Sequence, residues 1–384
     1  MSQQFFASCP RGLEAPLAAE LATIGATDIA PADGGVSFAG ELVLAYHANL
    51  ETRIASRVLW RVGGGPYHDE RDLYELVHAL DWSRIFAPTR TLRVDIAATH
   101  SPLTSLEFAT LRTKDAVCDR MRADHGVRPS IDKRAPDVRV HVHLTDREAT
   151  VYVDTSGAPL FKRGYRQDTD EAPLRENLAA GLLALAQWTP GQPLLDPMCG
   201  SGTIVTEAAL IAADQAPGLA RTFGFQKLAW YDGPTWQRIK QAARDRIGTA
   251  PSAPSIFASD ISDGAIGKTR ANLRTAHVDA LVQVERADIL TREAPAAEGL
   301  LVANPPYGVR MAEENELAAF YPRLGDALKR KFAGWSAYLF TGDLRLAKLI
   351  GLRPDKRAPL WNGAIECRLF GFRIVAGSMR ERGR

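Results

Sequence analysis

One stretch of the chain is dense in groups that can hold a charged small molecule, LLDPMCGSGT at 194–203. Two apolar residues run into Asp196, a loop of small residues follows, and IVTEAALIAAD (204–214) has the apolar spacing of a helix. The pattern predicts a strand, a glycine-rich turn and a helix N-terminus. Gly200 and Gly202 lack a Cβ, so the backbone can turn sharply there and approach a ligand closely. Free N–H groups at the helix start favour negative charge. Asp196 adds a carboxylate at the strand end, which the pyrophosphate of a dinucleotide would not welcome. A ligand with an ammonium, a carboxylate and an adenosine suits all three features, and S-adenosylmethionine (SAM) has them. The plain alternative is an ordinary βα turn with no ligand.

A second stretch shifts that balance. NPPYG (304–308) follows the apolar run LLVA (300–303), so it too falls at the C-terminal end of a predicted strand, the edge where doubly wound sheets bind ligands. With DPMCGSGT, NPPYG resembles the class I SAM-dependent methyltransferases of exocyclic base amines, and a base amine is a poor nucleophile because its lone pair is delocalised into the ring. Asn304 has a side-chain carbonyl and Pro305 a backbone carbonyl that can accept the two amine protons and draw density toward nitrogen. The Pro305–Pro306 pair fixes the backbone and removes competing donors, and Tyr307 can stack on the base. Asn304, Pro305, Pro306 and Tyr307 are therefore the expected catalytic set, with no metal.

Between these stretches, SIFASD ends in Asp260, whose carboxylate can accept both hydroxyls of a ribose. ALVQVERADIL places Asp288 to accept from an adenine amine. Either aspartate alone reads equally as a helix cap or surface group. In this order the expected cofactor contacts are Asp196, Pro197, Gly200, Ser201, Gly202, Thr203, Asp260, Ile261, Asp288, Ile289 and Asn304.

The elements that must position these groups are an alternation of strands and helices over 174–384. LRENLAAGLLALAQW (174–188) predicts an amphipathic helix ahead of the central strand, ALKRKFAGWSAYLFTG a helix and an aromatic strand, and NGAIECRLFGFRIV two short strands. Together they predict a seven-stranded, mostly parallel sheet with a reversed final strand. Residues 216–253 are longer than a simple connection and read as an insertion whose Trp and Tyr residues pack against the sheet domain.

The front half reads as a small α/β unit over 1–45, then helices and strands over 46–155. Gly63–Gly65 is expected to be a flexible loop, since no Lys-Ser/Thr follows it as in a phosphate cradle. His141 and His143 alternate with Val140, Val142 and Leu144, which makes them sheet histidines on one face rather than metal ligands. The helix through 106–121 brings Arg112 and Lys114, and Lys133 and Arg134 follow it. Acidic residues are interleaved, so a solvated salt-bridged face stands beside an RNA-facing one. The connector 156–173 adds Lys162, Arg163 and Arg166 as candidate RNA contacts, with a merely basic linker as the alternative.

At 384 residues the chain has room for two or three domains, and its net charge of +2 is uninformative as a total. Residues 323–384 carry 14 Lys/Arg against 5 Asp/Glu, an excess that can meet phosphate or simply be solvated. Four scattered cysteines without a CxxC pair argue against disulfides or zinc and fit a reducing cytoplasm. No signal-peptide pattern and no apolar run of spanning length points to a membrane, and no obligate protein partner is evident.

DPMCGSGT with NPPYG resembles the class I SAM-dependent methyltransferases of exocyclic base amines. FFASCPRGLE, TLRTKDAVCDRM and SIDKRAPDVRVHVHL resemble a THUMP domain behind an N-terminal ferredoxin-like unit, a pairing that docks RNA through phosphate contacts and shape. Over essentially its whole length, through KRGYR, LRENLAA and GDALKRKFAGW as well, the chain is similar to the 23S rRNA guanine-N2 methyltransferases. The resemblance implies four parts: a ferredoxin-like unit at 1–45, a THUMP domain at 46–155, a linker at 156–173 and a Rossmann-like methyltransferase domain at 174–384. It implies transfer of a methyl group from SAM to guanine N2 in 23S rRNA. A tRNA guanine-N2 methyltransferase shares the same parts, and an RNA-binding assembly protein with a lapsed catalytic domain is a reading of a different class.

Overall fold

The computed structural model describes residues 2–166, 174–248, 255–306 and 311–375, with the backbone alone for 311–316. The chain divides into two compact units. One comprises Met1–Cys9, Leu17–Leu160 and Ala220–Ala242, the other Pro10–Pro16, Phe161–Leu219 and Ala243–Arg384.

The first unit is built on a sheet of seven strands: β1 (Gln3–Ser8), β2 (Thr27–Ala32), β3 (Gly35–Gly40), β4 (Arg57–Pro66), β5 (Leu92–Ala98), β6 (Val138–Leu144) and β7 (Glu148–Asp154). Their spatial order is β2-β3-β1-β4-β7-β6-β5. Only β5 and β6 pair parallel, and the helix over Leu106–His125 supplies their crossover. The helices are α1 (Glu14–Thr23), α2 (Leu44–Glu51), α3 (Glu70–His78) and α4 (Leu106–His125). Alternation sets the faces: Val140, Val142, Val151 and Val153 are buried, while the residues between them are not all so. Ser105 caps α4 by accepting from Phe108 N–H at 3.1 Å, and Gly126 ends it with φ 70°. Along α4, Lys114 pairs with Asp115, Arg120 with Asp124 and Arg122 with Asp119, as on a solvated face.

Gly63–Gly65, expected as a loop, is ladder. It lies inside β4 opposite Val151, Thr150 and Ala149, after a bulge. The missing side chains are what admit the neighbours: a Cβ on Gly63 would lie 2.5 Å from Leu80, and one on Gly64 would lie 2.7 Å from the Ala149 carbonyl.

The second unit carries β8 (Leu194–Asp196), β9 (Ile256–Asp260), β10 (Val282–Arg286), β11 (Gly299–Ala303), β12 (Trp335–Thr341), β13 (Lys356–Asn362) and β14 (Ile365–Arg373). The order is β10-β9-β8-β11-β12-β14-β13. The expected seven-stranded sheet is present, and β14, the last strand, is the reversed one, antiparallel to both β12 and β13. The tail differs in detail: 365–373 is one long strand, and its hairpin partner comes from 356–362, upstream of a turn at Gly363 with φ 65°. The helices of this unit include α5 (Glu176–Leu185), α6 (Thr203–Ala212), α8 (Asp263–Thr275) and α9 (Met311–Lys331). Leu195, Leu301, Tyr321, Phe332, Trp335 and Phe370 share its core. Among the described residues no helix is long and apolar enough to cross a membrane.

The insertion behaves differently from expectation. Its aromatic residues, and most of the helix α7 (Gly233–Asp245), belong to the first unit. The Tyr46 ring of α2 lies 4.6 Å from Phe225, 5.4 Å from Trp230 and 5.8 Å from Trp236, and its hydroxyl accepts from Asp232 N–H at 2.8 Å. Trp60 of β4 meets Trp230 edge-on. The rings close the front unit's core from a chain position far downstream. Trp236→Ala should accordingly cost about 3–5 kcal/mol, read by denaturant unfolding. A loss below ~1 kcal/mol would mean that the insertion is not core.

Candidate active site

Parallel registry brings the predicted site together at one edge. Leu195 pairs with Leu301 and Phe257, Asp196 with Ala258, and Asp260 with Arg286. Asp196, Asp260, Asp288 and Asn304 thus all end or follow adjacent strands at their C-terminal edge, where an open α/β sheet offers a crevice.

The turn after β8 has the geometry its composition requires. Gly200 and Gly202 take φ of 55° and 76°. Gly202 sits at the N-cap of α6, and its N–H donates to the Cys199 carbonyl at 2.7 Å. A Cβ there would lie 2.6 Å from Thr269 of α8. Thr269 donates to the Gly200 carbonyl at 2.9 Å, and Asn272 donates to the Ser201 carbonyl at 2.9 Å. The loop is therefore buttoned onto α8, and sequence reasoning missed both of these residues. Cys199 contacts Thr269 within the same cluster. Burial pushes its thiol pKa up, so it is a packing group and not a nucleophile.

Asp196 is 2% exposed and accepts from Met198 N–H at 3.2 Å. Burial, with Asp260 nearby, raises its pKa to about 8. A buried carboxyl of this kind suits an incoming ammonium, whose charge would replace the missing solvation. Asp260 accepts from Gly200 N–H at 3.0 Å through one oxygen and from Ser262 N–H at 2.9 Å through the other, which fixes its plane while leaving a lone pair on each for hydroxyl donors. Asp288 accepts from Leu290 N–H at 2.9 Å. Ile261 is 64% exposed, an apolar side chain beside Asp260 able to cover a flat ring. Ile289, expected beside it as a cofactor contact, lies at 3% exposure with its side chain in the apolar core beside Leu195 and Leu301, which leaves its backbone as the part that could meet a ligand. Pro197 is buried behind the loop, while Ser201 is half-buried.

Asn304 follows β11 directly. Its Oδ1 is buried and accepts no hydrogen bond among the described residues. Pro305 is buried and Pro306 exposed, and the Pro306 carbonyl lies 3.5 Å from the Tyr321 hydroxyl. Burial pushes that phenol up to about 12, so it stays a donor. Tyr307 lies outside the described residues.

The connector's arginines do not have the role expected of them. Arg163, 5% exposed, pairs with Glu207 at 3.5 Å, and Tyr165 donates to the same carboxylate at 3.1 Å. Arg166 donates to Thr203 Oγ1 at 2.8 Å and to the Leu174 carbonyl at 2.9 Å, and lies 3.5 Å from Glu176. Both are turned inward and brace the start of α6, which removes them from the RNA-facing set. Only Lys162 of that trio is exposed. A lone Glu207 in the apolar run IVTEAALIAA was the overlooked signal, since an isolated buried acid requires a partner. In the first unit, Arg112 stacks on Tyr74 at 4.5 Å and Lys114 pairs with Asp115, while Lys133 and Arg134 are exposed.

Sheet order, glycine turn and aligned acidic strand ends define a class I methyltransferase domain. The chain belongs to the family described as the RMKL-like methyltransferase domain, which matches residues 163–370. A THUMP domain matches 67–154 and an RlmL ferredoxin-like domain 4–59. The chain is 38% identical over 98% of its length to a ribosomal RNA large subunit methyltransferase K/L of Aeromonas hydrophila, and 42% identical over 97% to one of Syntrophotalea carbinolica. It spans 55% and 54% of those relatives. Among solved structures, a putative methyltransferase complexed with SAH superposes with a TM-score of 0.89 at 28% identity, covering 98% of this chain and 99% of that one. A predicted N6-adenine-specific DNA methylase from Listeria monocytogenes gives 0.88 at 30% identity, with 97% of each chain covered.

The raised Asp196 pKa gives SAM binding a pH dependence. The ammonium needs the ionised carboxylate, which below pH 8 must first lose its proton. Between pH 6 and 7 the ligand's own amine stays charged, so the Kd for SAM should tighten about tenfold per unit. Calorimetry at the two pH values reads this directly. Asp196→Asn should bind weakly with a flat profile, and a flat profile in the wild type would contradict the assignment.

Proposed function

We propose that the chain methylates the exocyclic N2 amine of a guanosine in large-subunit ribosomal RNA. The observation that carries this reading is the Asn304 Oδ1, a buried acceptor without a donor among the described residues, at the cofactor edge of the sheet. Leaving such an acceptor unpaired costs about 1–3 kcal/mol. A substrate N–H would supply the missing bond. The RNA class rests on the THUMP match and on the relatives' ribosomal RNA activity, and guanine N2 on the family resemblance.

SAM supplies the methyl group: the N2–carbon bond forms as the sulfur–carbon bond breaks, giving S-adenosylhomocysteine and releasing the amine proton to solvent. The protein's part is positioning and prepared polarity. Asn304 accepts one amine proton and the Pro305 carbonyl the other, which localises the lone pair on nitrogen. Asp196 holds the ammonium and Asp260 the ribose, which fixes the line of attack. Tyr307 stacks on the base once it has been turned out of its helix. The site residues supply these roles without a metal ion, and the reaction belongs to the cell interior, where ribosomal RNA is made.

With purified 23S rRNA and tritiated SAM, Asn304→Ala should lower kcat by about 10²–10³-fold while leaving the Kd for SAM unchanged. Because the substitution removes an unsatisfied buried acceptor, the unfolding midpoint should hold or rise. Full kcat in the variant would refute the mechanism, and transfer to tRNA in place of rRNA would move the substrate while preserving the chemistry.

A further inference from the structure

The helices α2, α3 and α4 cover one face of the front unit's sheet, the face of Val36, Phe38, Val58, Val140 and Val151. The opposite face carries a different set. Across the strands, one row runs Gln4, Arg61, Tyr152, His141, Asp95 and the next Phe6, Leu59, Asp154, Arg139, Arg93. Gln4 and Arg61 are exposed, and Phe6 and Tyr152 are half-buried. Two aromatic rings on the outer face of a helix-backed sheet need a reason. These two lie 6.3 Å apart, tilted by 50°, on either side of the strand that carries Leu59. The Phe6 ring reaches over Gly35, where any Cβ would lie 2.4 Å from it.

The cations around the rings are held in place. Asp95 pairs with Arg93 at 2.7 Å and with Arg139 at 3.2 Å, and Asp154 pairs with Arg57. Arg61 stands directly across from Tyr152 and makes no ion pair among the described residues. His141 Nε2 is buried without a hydrogen-bond partner, 3.9 Å from Asp154, and burial lowers its pKa, so it stays a neutral polar group. Arg93 also donates to the Lys133 carbonyl at 2.7 Å, which ties the exposed Lys133–Arg134 loop to the edge of this face. Arg57, Arg61, Arg93 and Arg139, extended by Lys133 and Arg134, outnumber the acids: Asp95 and Asp154 on the face, Glu148 at the rim and Asp132 in the adjoining loop.

We infer that the accessible part of this sheet face, around Gln4, Arg61, Phe6 and Tyr152, binds single-stranded RNA, with bases stacked on Tyr152 and Phe6 and phosphates met by Arg61 and its neighbours. The inference rests on the RNA reading above and names a surface for it. Charge complementarity selects a polyanion, and the rings select one whose bases are unstacked, because an A-form duplex keeps its base faces inside the helix. The face therefore takes a loop or unwound segment beside the target, whichever nucleotide is methylated. Sequence preference at this face should be weak, since every base offers a face to a ring.

The test uses the full-length protein with a short oligouridylate, a self-complementary RNA duplex and 23S rRNA as probes. The oligouridylate should bind more tightly than the duplex, and ultraviolet cross-linking should place adducts on Phe6 or Tyr152. Tyr152→Ala should weaken oligouridylate binding about tenfold, and Arg61→Ala should lower the salt dependence by about one counterion. Both should leave SAM affinity unchanged, and a native circular dichroism spectrum should show that both fold. Wild-type affinity in both variants, or cross-links confined to α4, would overturn the sheet face. If 23S rRNA is methylated while oligouridylate does not bind, only this inference falls. If the wild type neither binds nor methylates any RNA, the functional reading falls with it.

Discussion

The proposed catalytic edge turns on one unsatisfied acceptor. A buried side-chain carbonyl with no donor works against folding, and among the described residues the Asn304 Oδ1 is such a group. Around it the protein spends rigid structure. Asn304 follows the short strand β11, whose five residues are all buried, and two prolines remove the freedom with which the side chain's backbone could relax. The Tyr321 hydroxyl approaches the Pro306 carbonyl from the core. An acceptor held this way cannot satisfy itself by moving, which is the condition for preorganised catalysis.

The same logic governs the cofactor edge. Asp196 is ready for a cation because burial leaves its charge under-solvated, and Asp260 is held in plane by two backbone donors. The glycine turn between them keeps its shape because α8 reaches over it through Thr269 and Asn272, and because Arg166 braces Thr203 from the other side. Groups that touch no ligand therefore fix groups that do. In the front unit the acids play a comparable part, with Asp95 and Asp154 holding arginines in a fixed array across the sheet.

What could be read from the chain was whatever local spacing determines. The strand–turn–helix at 194–214 and the strand before Asn304 are fixed by apolar runs beside Gly and Pro, so the sheet and the acidic strand ends were legible. Three features were not. The partner of an aromatic cluster is a long-range fact, and nothing in PGLARTFGF or LAWYDGPTW says that it closes on Tyr46 rather than on the adjacent sheet. The burial of Arg163 depends on Glu207 and that of Arg166 on Thr203 as well as Glu176, and both Glu207 and Thr203 are distant in sequence. Gly63–Gly65 looks like a loop by composition but is held in the ladder by the strand opposite and by the space Leu80 needs. In each case the deciding contact is non-local, and residue type alone suggested the opposite.

The most direct test of the central claim is mass mapping of 23S rRNA from cells lacking this gene and complemented with the wild-type chain or with Asn304→Ala. The account predicts loss of one N2-methylguanosine, restored by the wild type and not by the folded, SAM-binding variant. Restoration by Asn304→Ala, or an unchanged pattern of N2-methylguanosine in the cells lacking the gene, would contradict it.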